Sequence, residues 1–441
     1  MSTRLFLFTT LFKVINIHYY KIIIVCQGKS MNSKNRISPA IVVIIIFGII
    51  SMLGDIVYES ARSANSQYLN WLGISAAKVG LVFGIGEFLG YALRLLAGIM
   101  SDKSGKPWFF MFIGYGMLLS VPLMGFTMEW NLLVIFILME RIGKALRNPA
   151  KDTVLSGVAE DQVGIGFAFG LQEALDQLGA FLGPLVFTAV FYFAGNSRIS
   201  EYQLGYKLLI VPFVILMIFL YFAFKKITSS KLLSKDKNKN YEHEKLEPVF
   251  WYYTVFAFFC TMGFVNFSII GYHLKANQLM SDGNITLLYS FAMLIDAVAA
   301  IIVGKAYDRL KEKTKKKTGG ILVLAVIPLM TMLLPLLTLS NSTIFIIMGM
   351  LFFGIIMGMH ETIMRSAIAD ITPYRKRGTG YGIFNSAYGL AFLAGSALMG
   401  LLYDMQLIKL IIAFTFITEI IAIVLYLMMN NTIKSDHQYS A

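Results

Sequence analysis

The chain has 441 residues, of which 57% are hydrophobic and only 14% charged, with a formal net charge of +13. Soluble proteins carry about 25% charged residues, so the composition excludes an ordinary soluble enzyme and points to a chain that lives in a bilayer. In a soluble protein the positive balance would suggest nucleic acid; here the bases gather in alternate loops, an orientation signal, and no nucleic-acid partner is expected.

Residues 1–30 are apolar but broken by Lys13, His18 and Lys21. No small-residue cleavage site follows a clean apolar core, which argues against a signal peptide. A membrane span needs about 20 mostly uncharged residues, so this stretch is not read as one. Met31 opens a more ordinary polar start, MNSKNR, and is expected to be the natural first residue. Twelve apolar spans follow, at roughly 38–61, 76–98, 108–127, 131–149, 164–194, 204–224, 249–271, 284–306, 319–339, 343–365, 378–403 and 408–429. Backbone groups cannot stay unpaired in hydrocarbon, and the alternation of barrel strands is missing, so the spans are predicted to be helices. The expected fold is an all-α membrane protein of two six-helix bundles, 38–224 and 249–429. A lead-in covers 1–37, a linker 225–248 and a tail 430–441.

The linker holds seven lysines, and the 305–318 turn holds seven Lys and Arg. The 103–106 turn and the Arg375-Lys376-Arg377 cluster are basic too, while the opposite loops are short and nearly free of bases. Basic loops stay in the cytoplasm, which places both termini there, in a multi-pass plasma-membrane protein expected to be a monomer. The linker also carries Asp236, Glu242, Glu244 and Glu247 and reads as a flexible tether.

The two halves echo each other. Residues 98–105 read GIMSDKSG, and GKAYDR follows at 304–309. Arg147 lies five residues before Asp152, as Arg365 does before Asp370. Gly166, Gly170 and Gly183 match Gly378, Gly382 and Gly395, each 212 residues on. Fixed-period self-similarity marks a duplicated unit. Parallel halves are a transporter design with the substrate site between them near the midplane.

Charges inside the spans are functional candidates, because a charge at mid-bilayer costs about 2.5–3.5 kcal/mol on insertion scales. Asp55, Glu59 and Arg62 share one face of the first span. The second span has Glu87 and Arg94; the fourth has Glu140, Arg141 and Arg147. Glu173 and Asp176 lie on the fifth, Asp296 on the eighth, and His360, Glu361 and Arg365 on the tenth. Glu140, Arg141, Arg147 and Asp152 sit near a helix end and read as structural pairs. Asp55, Glu59, Glu173 and Asp176 line the expected cavity and outnumber the single nearby Arg62. Carboxylates that take up and release protons are the parts of a proton relay.

Gly179 and Gly183 make a small-xxx-small face for close helix packing, and Pro184 removes a backbone bond. Cys26 and Cys260 are too few for a disulfide framework and lack metal-ligand spacing. There is no Walker loop, His360-Glu361 lacks the second His of a zinc protease helix, and Gly84, Gly86 and Gly90 miss the nucleotide fingerprint by one residue. No enzyme activity, cofactor or metal is expected.

On these residues the chain resembles the major facilitator superfamily of secondary transporters over 38–430. Gly98, Asp102, Lys103 and Gly105 match its loop signature, and Gly304, Asp308 and Arg309 match the second copy, with Lys311 where the second Gly would stand. The resemblance implies a cytoplasmic latch in which Asp102 meets Arg147 and the 378–382 turn. It adds Asp152, Arg365 and Asp370 to that gate. The fifth span is similar to the antiporter signature of proton-driven drug exporters at Gly170, Gly179, Gly183 and Pro184, with Phe187 and Thr188 in place of the closing glycines. DIVYESAR, GEFLGYALRLLAG, ERIGKALRNPAKD and QEALDQLGAFLGP look like a little-described prokaryotic permease subgroup.

The expected function is secondary transport of a small solute by alternating access. Protons are expected on Asp55, Glu59, Glu173 or Asp176, with antiport favoured by the fifth-span pattern. Uptake of an organic anion or sugar phosphate by Arg62, Arg94, Arg147 and Arg365 is the second expectation. A non-transporting sensor or lipid scramblase on the same fold is the third.

Overall fold

A computed structural model describes residues 39–159, 165–195, 198–230, 246–314, 323–372 and 377–438. The N-terminal extension, most of the linker and Arg375-Lys376 lie outside the described residues, as do the side chains of Asp102, Asp308 and Arg365. The described residues from Ala40 onward belong to one compact unit.

The chain is helical throughout these residues, with no strand among them. Helix α1 spans Pro39–Trp71 and α2 spans Ala76–Ser104. Next come α3, Pro107–Phe126, then α4, Trp130–Ala159, and α5, Ile165–Ala194. Helix α6 has two pieces, Ile199–Leu208 and Ile210–Ser230, and so does α7, Pro248–Gly263 and Phe267–Ala276. Helix α8 is Asp282–Thr314 and α9 is Val323–Thr338. The last three are α10, Thr343–Ile371, α11, Arg377–Asp404, and α12, Ile408–Gln438.

The start of α1, IVVIIIFGII, is β-branched and would favour a strand in a half-buried sheet. In hydrocarbon only the helix pairs every backbone group within the segment, so the solvent overrides the propensity. Gly105, at φ +61°, turns the chain out of α2, and Pro107 opens α3 where no N–H is needed. Ten of these helices are long and apolar enough to cross a membrane, and α9 is a shorter apolar helix. Helix α4 has 30 residues but is too charged to join the ten. Ile301, Ile302 and Ile417 are exposed, as side chains facing lipid are.

Two seams join the first six helices to the last six: α2 lies along α11, and α5 lies along α8. A shift of six helices turns the second seam into the first, so the sequence repeat is also a packing repeat. Gly183 on α5 approaches α1, where a Cβ would lie 3.0 Å from the Ile56 carbonyl oxygen. Its counterpart Gly395 on α11 approaches α7, where a Cβ would strike the Met262 carbonyl. Gly80 and Gly84 let α2 lie against Ser396 and Leu393 of α11.

Alanine at Gly80 or Gly395 is therefore expected to destabilise the bundle by about 1–3 kcal/mol, the usual cost of overpacking. Gly116→Ala, whose Cβ would meet nothing within 4 Å, should leave the thermal midpoint in detergent unchanged. Equal losses at all three positions would show that close approach is not what these glycines supply.

Candidate functional site

A cavity of about 810 Å³ lies between the two halves, lined by α1, α2, α4 and α5 on one side and α8, α10 and α11 on the other. It runs from Glu59 and Arg62 in the interior to Gly98, Asp152 and Gly382, at the end that carries the Gly98–Gly105 turn. The opposite end is sealed by bonds between the halves. Asp404 of α11 accepts the Ala76 and Ala77 N–H groups at the start of α2, at 2.7 and 2.9 Å. Thr188 meets Thr286 at 2.8 Å, and Tyr192 meets Asn284. Ser290 donates to the Phe181 carbonyl at 2.7 Å, and Tyr272 to the Ile74 carbonyl at 2.9 Å.

The wall formed by the first half is an ionic cluster. Helix α4 places Glu140, Lys144, Arg147 and Lys151 on one face, by spacings of four, three and four. Arg141 meets Glu87 at 2.9 Å and Glu140 at 3.4 Å, and its guanidinium donates to the Tyr58 hydroxyl. Arg147 meets Glu140 at 3.8 Å and lies over the Tyr115 ring. Lys151 donates to Ser51 at 2.6 Å and sits 3.9 Å from Asp176. Arg62 bridges Glu59 at 3.5 Å and Glu87 at 4.0 Å. Arg94 also lines the cavity, with its guanidinium 4.6 Å from the Tyr91 ring.

Two positions stand apart. Lys144 sits 4.1 Å above the Tyr58 ring and forms no ion pair among the described residues. Asp55 lines the cavity within electrostatic reach of Asp176, Lys144, Glu59 and Lys151, and no described residue bonds its carboxylate. Glu173 is exposed at the cavity wall.

The second half adds carboxylates. Asp296 on α8 is 2% exposed, and its Oδ1 has no hydrogen-bond partner among the described residues. Glu361 on α10 accepts from Gln177 of α5 at 3.4 Å. His360 is buried behind it, 3.2 Å from the Tyr388 hydroxyl. A second cavity carboxylate is also bonded across the halves: Tyr289 of α8 donates to Glu59 at 2.7 Å.

The structure thus gathers Asp55, Glu59, Arg62, Glu87, Arg94, Glu173, Asp176, Asp296 and Glu361 around one cavity. Lys144, Lys151, Tyr58 and Tyr289 join them without having been singled out in the sequence; the heptad-like spacing from Glu140 was the signal for the two lysines. Asp55, Glu59, Glu173 and Asp176 therefore face more positive charge than Arg62 alone. At the gate, Gly98 lines the cavity mouth and Lys103, Asp152 and Arg309 are exposed. Gly304 faces Thr362, with 3.3 Å to a built Cβ. Asp370 accepts from Lys311 at 2.6 Å and Tyr307 at 2.9 Å, so the lysine that replaces the signature glycine is its partner. On α5, Gly179 packs on Met52, and Pro184 lies inside the helix, which also carries Gly170.

A family model described as Major Facilitator Superfamily matches residues 37–367 and 320–439. An uncharacterized protein of Mycobacterium tuberculosis is 31% identical over 373 residues, 83% of this chain and 88% of that protein. An uncharacterized MFS-type transporter of Methanocaldococcus jannaschii is 26% identical over 375 residues, 82% of this chain and 88% of that one. Among solved structures, a bacterial homolog of the human lysosomal transporter Spinster, inward-facing and unoccupied, superimposes with TM-score 0.67 at 13% identity, over 91% of this chain and 99% of that chain. The nucleoside transporter NupG does so with TM-score 0.67 at 11% identity, over 88% and 99%. At these identities the likeness is one of fold.

Removing one member of a buried ion cluster leaves uncompensated charge. Arg141→Met is expected to destabilise the protein by about 3–5 kcal/mol. Adding Glu87→Gln should recover part of that loss, read as a coupling energy in a double-mutant cycle of thermal midpoints. Strictly additive losses would mean that the 2.9 Å pair does not hold α2 to α4.

Proposed function

Because the chain belongs to the major facilitator superfamily, whose members carry solutes across membranes by secondary transport, we propose that it exchanges protons for a cationic small solute by alternating access. The observation that carries this reading is the charge of the cavity: eight carboxylates face six basic side chains among its described lining residues. A net negative cavity favours protons and cations over an organic anion. Asp55 is the proton site best suited to the task, because it faces Lys144 and Lys151 as well as Glu59 and Asp176 without a fixed bond to any of them.

A proton on Asp55 removes the negative charge that faces Lys144 and Lys151. The lysines then lean on Glu59, Glu140 and Asp176, and Glu59 carries the change to α8 through Tyr289. A ligand shifts such an equilibrium only through its different affinity for the two states, and a cation competing with the proton has that property. The basic loops support a cytoplasmic cavity mouth and cytoplasmic termini, in what is proposed as a plasma-membrane monomer. Lipid, proton and solute are the partners this reading requires.

The organic-anion reading requires a cavity base that does not already meet a carboxylate. Arg62, Arg141 and Arg147 all meet one; Lys144, in no ion pair among the described residues, is the base this reading would use. In proteoliposomes with an imposed pH gradient and a pH-sensitive dye, pooled organic amines should drive proton movement opposite to solute. Asp55→Asn should reduce that signal to background, and Lys144→Gln should leave solute entry detectable. Solute crossing without proton movement would overturn proton coupling. Organic anions moving in place of amines, with loss in Lys144→Gln, would establish the second reading.

A further inference from the structure

One buried carboxylate lies away from the cavity. Glu419, on α12, is fully buried, and neither carboxylate oxygen has a hydrogen-bond partner among the described residues. The Cys260 thiol on α7 faces it as a weak donor, and no Lys, Arg or His pairs with it among the described residues. Counting from Ile408, its position at 1.5 Å per residue is about 17 Å along α12, near the middle of a hydrocarbon layer about 30 Å thick.

The oxygens around it are acceptors. A Cβ built on Gly263 of α7 would strike the Thr418 hydroxyl and lie 2.7 Å from Glu419 Oε1, so both oxygens rest against the bare glycine. The Thr418 proton is used on the carbonyls of Phe414 and Thr415, at 3.1 and 2.9 Å. The Thr415 proton is used on the Gly263 carbonyl at 2.9 Å. Each hydroxyl has one proton and two lone pairs, so what remains for a ligand is lone pairs.

Helix α7 also stops here. Its first piece ends at Gly263, Phe264 takes φ −74° and ψ 119°, and Asn266 caps the second piece by accepting from Ile269 N–H at 3.3 Å. The Phe264 N–H reaches back to the Thr261 carbonyl at 3.3 Å rather than to that of Cys260, so the helical ladder is interrupted. The carbonyl end of a helix carries partial negative charge. Carboxylate, hydroxyl lone pairs and helix terminus thus share one sign, and a buried charge of one sign is costly unless something compensates it.

We infer that the α7 break holds a sodium-type monovalent cation, bound by Glu419 together with the Thr418 and Thr415 hydroxyls beside Gly263. Hard oxygen ligands suit a hard cation, and a single carboxylate matches a single positive charge. Unwound helix segments at the midplane are the places where transporters hold coupling ions. The site also lies on the route to the sealed end. Beyond the break, Phe267 packs on Tyr289 at 4.2 Å between ring centres, Gly271 abuts Ser66, and Tyr272 bonds the Ile74 carbonyl. An ion at the break sets the angle between the two pieces of α7, and with it the closure of that end.

The test uses the purified full chain in detergent and needs no transport. Radiolabelled sodium should bind saturably, and sodium chloride should raise the thermal midpoint by a few degrees over choline chloride at equal ionic strength, with potassium chloride giving less. Glu419→Gln and Gly263→Ala should each lose the sodium binding, whereas Asp55→Asn should keep it. Where a variant does not fold, the comparison of salts on the unmodified chain still decides. Equal midpoints in the three salts with no saturable sodium binding would overturn the inference and leave Glu419 as a neutral acid. Binding that survives Glu419→Gln but disappears in Asp55→Asn would overturn it too, by moving the cation to the cavity. The first failure leaves the proton-exchange reading standing, because that reading rests on other residues; the second would instead make sodium a competitor for its proton site, Asp55.

Discussion

A charge in hydrocarbon must meet its counter-charge inside the protein, and α4 is built around that requirement. Arg141 is held by Glu87, Glu140 and Tyr58, Arg147 by Glu140, and Lys151 by Ser51 and Asp176. Those partners come from α1, α2 and α5 as well as from α4 itself. The pairs therefore fix the rotation of α4 and draw three other helices around it. The charges that make α4 a poor membrane helix in isolation are the ones that place it in the bundle. Burying them is tolerable only because each is answered at close range.

The glycines perform the complementary task. Where α2 meets α11, and where α5 and α11 meet α1 and α7, there is no volume for a side chain. Without a hydrophobic drive between helices in lipid, close backbone approach supplies the packing attraction. The equal offsets of Gly183 and Gly395 in sequence become equivalent contacts in space. The duplication therefore reproduces its packing even where the two halves differ in charge.

Much of this was legible in the chain. Apolar runs of about 20 residues mark spans in lipid, and Asp55, Glu59 and Arg62 share a face by spacing alone. The 212-residue glycine register pointed to the paired seams. The tertiary partners were not legible. Lys144 and Lys151 were not singled out, because spacing puts them on one face of α4 but nothing local says that this face turns towards α1 and α5. Tyr58 and Tyr289 are common residue types in membrane helices, and their hydroxyls matter only because a charge happens to face them. Glu419 is one acid in an apolar run, and the α7 break beside it has no proline to mark it.

The placement of charge bears on how the halves can move. Every ion pair among the described residues joins groups of the same half. The bonds at the sealed end between Thr188 and Thr286, Ser290 and Phe181, and Tyr272 and Ile74 are neutral, each worth about 0.5–1.5 kcal/mol net. Asp404 is charged, but it caps α2 at the helix end, where water can replace it. Rocking one half against the other thus leaves the ionic clusters intact and breaks contacts that are individually weak. The bonds from Tyr289 to Glu59 and from Gln177 to Glu361 are the exceptions: both cross the halves and end on a carboxylate, a class worth about 1.5–3 kcal/mol. Glu59 also holds Arg62, so this carboxylate links a cavity base of the first half to α8 of the second. A transporter that kept its ion pairs across the seam would have to break them in every cycle; the ion pairs among the described residues lie within a half, and neutral donors, Tyr289 and Gln177, meet the carboxylates of the other half.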